Sequence, residues 1–246
     1  MSQYQNPPII EALCEFRFSK DTKWDPTIPG ILYENVKTQY PLKESRIDQQ
    51  FEIKKDKNGN LQQNLKIGGQ KAIFLAENRQ SLIQIGQRIL SINCLKPYPG
   101  WDTFKERIEF AYKTINDLTK IQEIDRISLV YVDKIEIPGT IVEMEKYFKF
   151  YPFLSPELPQ THNAFMVGCD FPYKNNRDIC KLQLNTAISE KKDSCAFLLT
   201  TEYFLAKKGS ITPEKALQWV DESHTTVKGL FKGCITEKLE DLFGRT

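Results

Sequence analysis

The order of strands and helices along the chain occurs twice, and this repeat constrains the fold more than any other feature. The first copy opens with "NPPIIEALCEFRF", in which alternating apolar residues predict a strand over 9–18. The elements predicted after that strand are a helix over 25–41, strands over 49–55, 61–67, 71–77 and 81–93, and a long helix over 96–121. Since the strand and the long helix each have one apolar face, both are expected to pack on a shared core.

The second copy begins at residue 126 with another alternating strand, "RISLVYVDKIEI". The elements predicted after it are a shorter helix over 140–152, strands over 163–171, 179–189 and 195–206, and a final helix that opens at Thr212. Thr212 is expected to cap that helix, because Pro213 and Glu214 follow it in the first turn. Each copy therefore has the order strand, helix, three or four strands, long helix.

This repeat predicts an α+β fold class. Residues 1–122 and 123–246 are expected to form two pseudo-repeats, each an antiparallel sheet around a long helix, packed as one pseudo-symmetric unit. The architecture resembles the TATA-binding-protein-like and helix-grip folds. Because one fold carries many activities, this resemblance predicts architecture and no particular function.

Composition and charge exclude several classes of protein. The chain is 40% hydrophobic and 27% charged, which excludes a disordered chain. Its net charge of +2 is low for a dedicated nucleic-acid-binding protein, although a local basic patch fits within a balanced total. No apolar run reaches the length of a membrane span and no signal peptide is recognisable, so a cytoplasmic protein is expected. The six cysteines are scattered, and in that compartment free thiols are expected.

Catalytic and metal-binding motifs are missing from the sequence. Its two histidines are His162, in a predicted loop, and His224, in the final helix. Neither has neighbours with the spacing of a zinc site, and the sequence has no nucleophile elbow, phosphate loop or dinucleotide-binding motif. The histidines are therefore assigned surface or helix-packing roles. We expect no catalytic residue, no metal and no cofactor, and hence a non-enzymatic protein.

Polar side chains share one face of two predicted strands that hold corresponding places in the two copies. Lys66 lies on this face in the first copy, and Lys181, Gln183 and Asn185 lie on it in the second. One explanation is a sheet face that meets water. The other is a concave surface, lined by amides and lysines, that contacts a partner.

Charged residues on two otherwise apolar strands form the second candidate site. Glu15 and Arg17 lie opposite the core face of the first strand, and Tyr131 and Asp133 hold similar places in the strand that opens the second copy. If these strands lie near the pseudo-symmetry axis, Glu15 and Arg17 are expected to pair with Asp133 and fix the orientation of the halves. Lys134 is the other possible partner. The functional alternative is a charged floor of a groove.

Three stretches resemble a known family: "NPPIIEALCEFRF", "LIQIGQRILSINCLKPYPGW" and "RISLVYVDKIEIP". The chain is similar to a sporadically distributed, uncharacterised family of prokaryotic proteins of about this length. The positions that match are Asn6, Pro7, Pro8, Glu11, Glu15, Arg17, Asn93, Tyr98, Trp101, Tyr131 and Asp133. The family's patchy occurrence implies an accessory role, such as a component of antiviral defence or of a toxin–antitoxin system. No established activity comes with the resemblance.

Three functions follow as hypotheses. The leading one is a non-enzymatic interaction or adaptor protein that acts on a protein partner, within such a system. The first alternative is a nucleic-acid-binding protein that uses the concave sheet face. The second is a small-ligand binder with a cavity between sheet and long helix, in which Glu15, Arg17 and Tyr131 are the polar groups. No membrane partner is expected, and the sequence leaves the oligomeric state open.

Overall fold

The computed structural model describes residues 4–55, 61–160 and 162–244, with the backbone alone over 48–55 and 61–68. In this part of the chain the strands are β1 (Ile9–Phe18), β2 (Leu42–Lys55), β3 (Leu61–Leu75), β4 (Ser81–Gly86), β5 (Ile89–Leu95), β6 (Ile124–Pro138), β7 (Met166–Tyr173), β8 (Asp178–Ala187) and β9 (Ser194–Leu205). The helices are α1 (Ile28–Val36), α2 (Trp101–Thr119), α3 (Ala216–Cys234) and α4 (Glu237–Leu242). Short 3-10 turns occur at Met144–Lys146 and Pro213–Lys215.

The strands of the described residues form one nine-stranded antiparallel sheet, in the order β2-β3-β4-β5-β1-β6-β9-β8-β7. The predicted fold class, α+β with two antiparallel sheets each around a long helix, is therefore wrong. The physical reason is the pairing of β1 with β6, which runs from Ile9↔Asp133 to Phe18↔Ile124. This pairing joins all the strands into a single sheet that dominates the fold. The division of the chain at residue 122 stays a prediction.

The helix predicted over 140–152 does not form, because this segment holds only the 3-10 turn Met144–Lys146. A β-branched run at its start disfavours a helix. Met144 and Phe148 are buried in an apolar cluster, and the backbone of Phe148 forms an isolated β-bridge with Ile235. Packing against the residues that follow α3 therefore sets the path of this segment.

One face of the sheet carries the apolar core and the helices. Ala12, Cys14 and Phe16 alternate along β1 and are fully buried, and Phe104 and Ile108 of α2 belong to the same cluster. Helices α1 and α3 contribute to this cluster too, while α4 packs on a second cluster along the same face. Each large apolar side chain that is fully buried contributes about 1.5–3 kcal/mol to folding. A layer of helices therefore covers one side of the sheet and leaves the other side to polar residues.

Charged side chains on the opposite face of β1 hydrogen-bond to polar side chains of the neighbouring strand β5. Asn93 of β5 donates a hydrogen bond to Glu11 over 2.6 Å, and Ser91 donates one to Glu15 over 3.1 Å. Arg17 also pairs with Glu15, at 2.7 Å. These contacts explain why β1 carries charged residues although its other face is core.

Three further properties bear on chemistry. All six cysteines lie in the described part of the chain and are free, as predicted. Within residues 4–55, 61–160 and 162–244, no group of three or more His, Cys, Asp or Glu is arranged to hold a metal ion. Among the helices of those residues, none is long and apolar enough to cross a membrane.

Candidate functional site

A cavity of about 470 Å³ lies between the helix-covered face of the sheet and α3. Strands β6 and β9 form its floor and α3 forms one wall, while the first turn of α2 and the segment before β1 close its other sides. Its walls include the aromatic side chains of Tyr4, Tyr98, Trp101, Tyr131 and Phe231. Its volume is typical of small-molecule sites in proteins.

A carboxyl group stands at the floor of this cavity, in a row of apolar side chains. Asp133 shares its face of β6 with Ile127, Leu129, Ile135 and Ile137, all fully buried. The aspartate is 3% exposed, and its carboxyl makes no hydrogen bond or ion pair with a described residue. Burial raises the pKa of Asp133 from 3.8 to about 8, because the ionised form is poorly solvated there. At neutral pH the carboxyl is therefore mostly protonated.

A second polar group to which the described residues offer no partner lies on the neighbouring strand. In the pairing of β6 with β9, Thr201 lies opposite Tyr131 and Leu199 lies opposite Asp133. All four side chains are on the same face of the sheet, so Thr201 is a close neighbour of Asp133. Thr201 is 1% exposed, and its hydroxyl oxygen has no hydrogen-bond partner among the described residues. Buried hydroxyls are normally paired, and this one lies beside the cavity with almost no accessible surface on its oxygen.

A chain of hydrogen bonds crosses the cavity from α3 to the segment before α2. The hydroxyl of Tyr131 lies 3.0 Å from Nδ1 of His224, and the hydroxyl of Tyr98 lies 3.4 Å from that of Tyr131. Burial raises the pKa of both tyrosines, so both stay neutral at physiological pH. Their hydroxyls can therefore donate as well as accept hydrogen bonds.

His224 is held in place as a neutral ring. Its imidazole stacks on the indole of Trp101, with ring centroids 3.8 Å apart and planes 4° apart. Burial, and secondarily the charge of Lys228, lowers the pKa of His224 from 6.5 to about 4. The imidazole is consequently uncharged at neutral pH and serves as a flat wall with one hydrogen-bonding edge on Tyr131.

Charged side chains stand at the mouth of the cavity. Lys228 and Lys232 follow His224 by four and eight residues on α3, so the three side chains lie on one side of the helix. Both lysines are exposed, and neither makes an ion pair with a described residue. Asp102, in the first turn of α2, is an exposed acidic residue at this mouth. The cavity thus has a buried acid at its floor and two cations at its entrance.

Of the residues that the sequence singled out, the structure brings Tyr131 and Asp133 together in the cavity. Glu15 and Arg17 do not join them, because they lie on the opposite face of the sheet. The expected pairing of Glu15 or Arg17 with Asp133 is therefore wrong. Lys134 is not their partner either, since it pairs with Glu190 at 2.5 Å. The proposed cavity with Glu15 and Arg17 among its polar groups is wrong for the same reason.

The other predicted surface lies on the polar face of the sheet. In β8, Lys181 is exposed, and the amide of Gln183 donates to Asn185 over 3.1 Å. Lys66 lies in β3, but its side chain lies outside the described part of the chain. Strand β3 is six strands away from β8 in the sheet order, roughly 29 Å at the usual spacing. Lys66 and Lys181 therefore belong to separate regions, and the use of either in nucleic-acid binding stays a prediction.

Several residues of the cavity were not predicted as site residues, among them Tyr98, Trp101, Thr201 and His224. Two of them carried a signal in the sequence. Thr201 alternates in register with the apolar core residues of its strand, and His224 lies on the same helical face as the apolar stripe of α3. A polar residue at an apolar position is informative because its burial requires a reason.

No protein-family model matches the chain, and no curated protein matches it at a significant level. The resemblance carried by the N-terminal motif and its two companion stretches stays a prediction. Functional inference therefore depends on the geometry and the chemistry of the cavity.

Proposed function

We propose that this protein binds a small molecule in the cavity between the sheet and α3, with Asp133 as the group that recognises it. The observation that carries the proposal is the Asp133 carboxyl, which is buried, lines the cavity and has no partner among the described residues. An unpaired buried carboxyl destabilises the fold, and a ligand that hydrogen-bonds to it offsets that penalty. Ligand sites typically combine an apolar, aromatic wall with a few polar groups that orient the ligand.

A second buried carboxyl on the same face of the sheet supports this interpretation by contrast. Asp178, at the start of β8, accepts hydrogen bonds from Nε1 of Trp219 at 3.0 Å and from the hydroxyl of Tyr203 at 3.1 Å. It also pairs with the guanidinium of Arg177 at 2.6 Å. Such a set of donors is what a structural carboxylate needs. Asp133 has no such donor among the residues that the structure describes, so no structural role is assigned to it there.

We expect the protein, purified gently from its own host, to carry a small molecule at one copy per chain, and Asp133→Asn to lose it. Native mass spectrometry measures both. Asp170→Asn is the matched control, because it makes the same chemical change on the exposed strand β7, away from the cavity. This control variant should retain the ligand.

The proposal would be contradicted by a ligand that Asp133→Asn retains at the wild-type stoichiometry. It would also be contradicted if no small molecule co-purifies and no compound of a metabolite library raises the melting temperature of the wild-type protein. Stabilisation by binding follows mass action, so a library at concentrations far above Kd gives a measurable shift.

A protein partner is the second candidate, in keeping with the adaptor role predicted from the sequence. Apolar side chains are exposed at one end of the sheet, where β6 and β8 end and β7 begins. Ile141, Met166 and Ile188 are 86%, 71% and 90% exposed. Clustered exposure of large apolar side chains is typical of protein interaction sites. We propose that another protein binds at this end, as part of an accessory system of the kind that the family resemblance implies.

Replacing both Met166 and Ile188 with Lys is expected to release a partner that co-purifies with the tagged wild-type protein. Because both side chains are exposed, the free energy of unfolding should change by no more than about 0.5 kcal/mol per site. Affinity purification followed by mass spectrometry compares the variants. Ile47→Lys, at an exposed position of β2 near the far edge of the sheet, is the control and should keep the partner. A partner that the double variant retains would rule this surface out.

A further inference from the structure

The buried acid of the cavity and its two lysines lie at opposite ends, and this restricts the ligand that it accepts. Asp133 is buried at the floor, whereas Lys228 and Lys232 are exposed at the mouth. A complementary molecule has hydrogen-bond donors at its deep end and an anionic group at its outer end. A free amino acid does not fit this arrangement, because its amino and carboxylate groups are adjacent. A polyamine has no anionic end, and a fatty acid has no donor at its deep end.

Helix α3 sets the distance between the two ends. Residues 224 to 232 of this helix line the cavity, and a helix rises by 1.5 Å per residue, so the wall is about 12 Å long. His224 marks the deep end, since it hydrogen-bonds to Tyr131 on the floor. Lys232 marks the outer end. The ligand is therefore an extended molecule with two chemically different ends.

The walls favour a flat ring at the deep end. Tyr98, Trp101 and Tyr131 surround this end together with the neutral imidazole of His224. Planar heterocycles stack on such side chains, each stacked base contributing about 1–3 kcal/mol. The adjoining polar group, the carboxyl of Asp133, lines this end and is placed to hydrogen-bond with the edge of a ring.

We propose that the ligand is a nucleotide, with the edge of its base on Asp133 and its phosphate at Lys228 and Lys232. This inference rests on the proposed small-molecule binding and names its chemical class. A base edge presents adjacent N–H donors and acceptors, which a carboxyl group complements with two parallel hydrogen bonds. A phosphate suits an entrance with two exposed lysines that form no ion pair with a described residue.

The first turn of α2 supports the phosphate end of this arrangement. Gly100 and Asp102 line the mouth of the cavity, at the end of the helix where backbone N–H groups and the helix dipole favour an anion. Asp102 adds one negative charge to a mouth that carries the two lysines. The mouth is therefore moderately positive, which is suited to selective binding of a phosphate that is already oriented by its base.

Isothermal titration of the purified full chain with the four ribonucleoside 5′-monophosphates and the matching nucleosides tests this inference. At least one nucleotide is expected to bind, and Asp133→Asn should lower its affinity by about tenfold or more, because the variant changes the donors and acceptors offered to the base. The double variant Lys228→Gln/Lys232→Gln should lower nucleotide affinity by about tenfold and leave nucleoside affinity unchanged. Lys191→Gln/Lys192→Gln, two exposed lysines outside the cavity, is the control and should bind as the wild type does.

Absence of binding by all four nucleotides at millimolar concentration would overturn the inference, as would affinities that neither cavity variant changes. These failures are distinct from failure of the proposed function. If another small molecule co-purifies with the wild-type protein and is lost in Asp133→Asn, the cavity is a ligand site for a different chemical class. If no small molecule is bound under any condition, both proposals fail.

Discussion

Replacing Asp133 with Asn is expected to stabilise the protein by about 2–4 kcal/mol at pH 7. Burial raises the pKa of this carboxyl from 3.8 to about 8, and each unit of difference corresponds to about 1.4 kcal/mol. At pH 7 the unfolded chain has released this proton and the native protein has not, so folding must take up a proton. Asparagine has nearly the same shape and no proton to take up. Urea denaturation measures the gain, which corresponds to a rise of about 5–10 °C in melting temperature.

The same substitution is expected to change how stability depends on pH. Between pH 3.8 and 8 the native state of the wild-type protein binds more protons at Asp133 than the unfolded state, so its stability falls as pH rises. His224 acts in the opposite direction between pH 4 and 6.5, because burial lowers its pKa to about 4. From pH 6.5 to 8 the Asp133 contribution is therefore isolated from that of His224. Over this pH window the free energy of unfolding of the wild-type protein should fall by roughly 2 kcal/mol more than that of Asp133→Asn.

Taking the difference in the free energy of unfolding between the two proteins at each pH cancels the contributions of the other titrating groups. An equal pH dependence in both, or a destabilised Asp133→Asn, would show that the carboxyl has a partner in solution and would weaken its assignment as a ligand-binding group. A stabilised variant that no longer binds ligand would fit a trade-off seen in many binding sites, where groups kept for function lower the stability of the fold.

Local patterns in the sequence predicted much of the secondary structure but not the way the strands combine. The alternating apolar residues of β1 predicted its bounds, Ile9–Phe18, and this prediction is confirmed. The two strands predicted over 61–67 and 71–77 are one strand, β3, which passes through Gly68 and Gly69. Fold class was wrong because it depends on the pairing of β1 with β6, whose residues are more than a hundred positions apart. Neither strand contains a feature that specifies its partner.

The candidate site was predicted only in part. Alternation along β6 places Asp133 and Tyr131 on the same face as Ile135, and that rule alone predicts a buried carboxyl. The sequence interpretation instead placed Asp133 beside Glu15, which lies on the other face. Tyr98 lies in the loop before α2 and Trp101 is the first residue of α2, and no local pattern predicts where such a loop lies. Sites formed between a sheet and distant helices are difficult to derive from one sequence for this reason.

Replacing Asp178 with Ala is expected to have the opposite effect of Asp133→Asn and to destabilise the protein by about 3–5 kcal/mol. Asp178 is fully buried and accepts hydrogen bonds from Trp219 of α3 and Tyr203 of β9, besides its ion pair with Arg177. Removing the carboxylate leaves the indole N–H and the phenol hydroxyl buried without a partner. It also separates the three elements that this one side chain holds together. Thermal unfolding should show a decrease of about 10 °C in melting temperature.

Two further variants separate the lost hydrogen bonds from the lost volume. Asp178→Asn keeps the shape and one acceptor, so its loss of stability should be smaller than that of Asp178→Ala. Trp219→Phe removes one hydrogen-bond donor and keeps an aromatic ring. The double variant Asp178→Ala/Trp219→Phe should lose less stability than the sum of the losses of the two single variants, because either change alone already breaks their shared hydrogen bond. Additive losses would contradict the assigned contact. Asp133 and Asp178 are both buried on the same face of one sheet. If one substitution raises the free energy of unfolding and the other lowers it, burial alone does not explain the difference. Hydrogen-bond partners would then be the property that distinguishes a structural acid from a ligand-binding one.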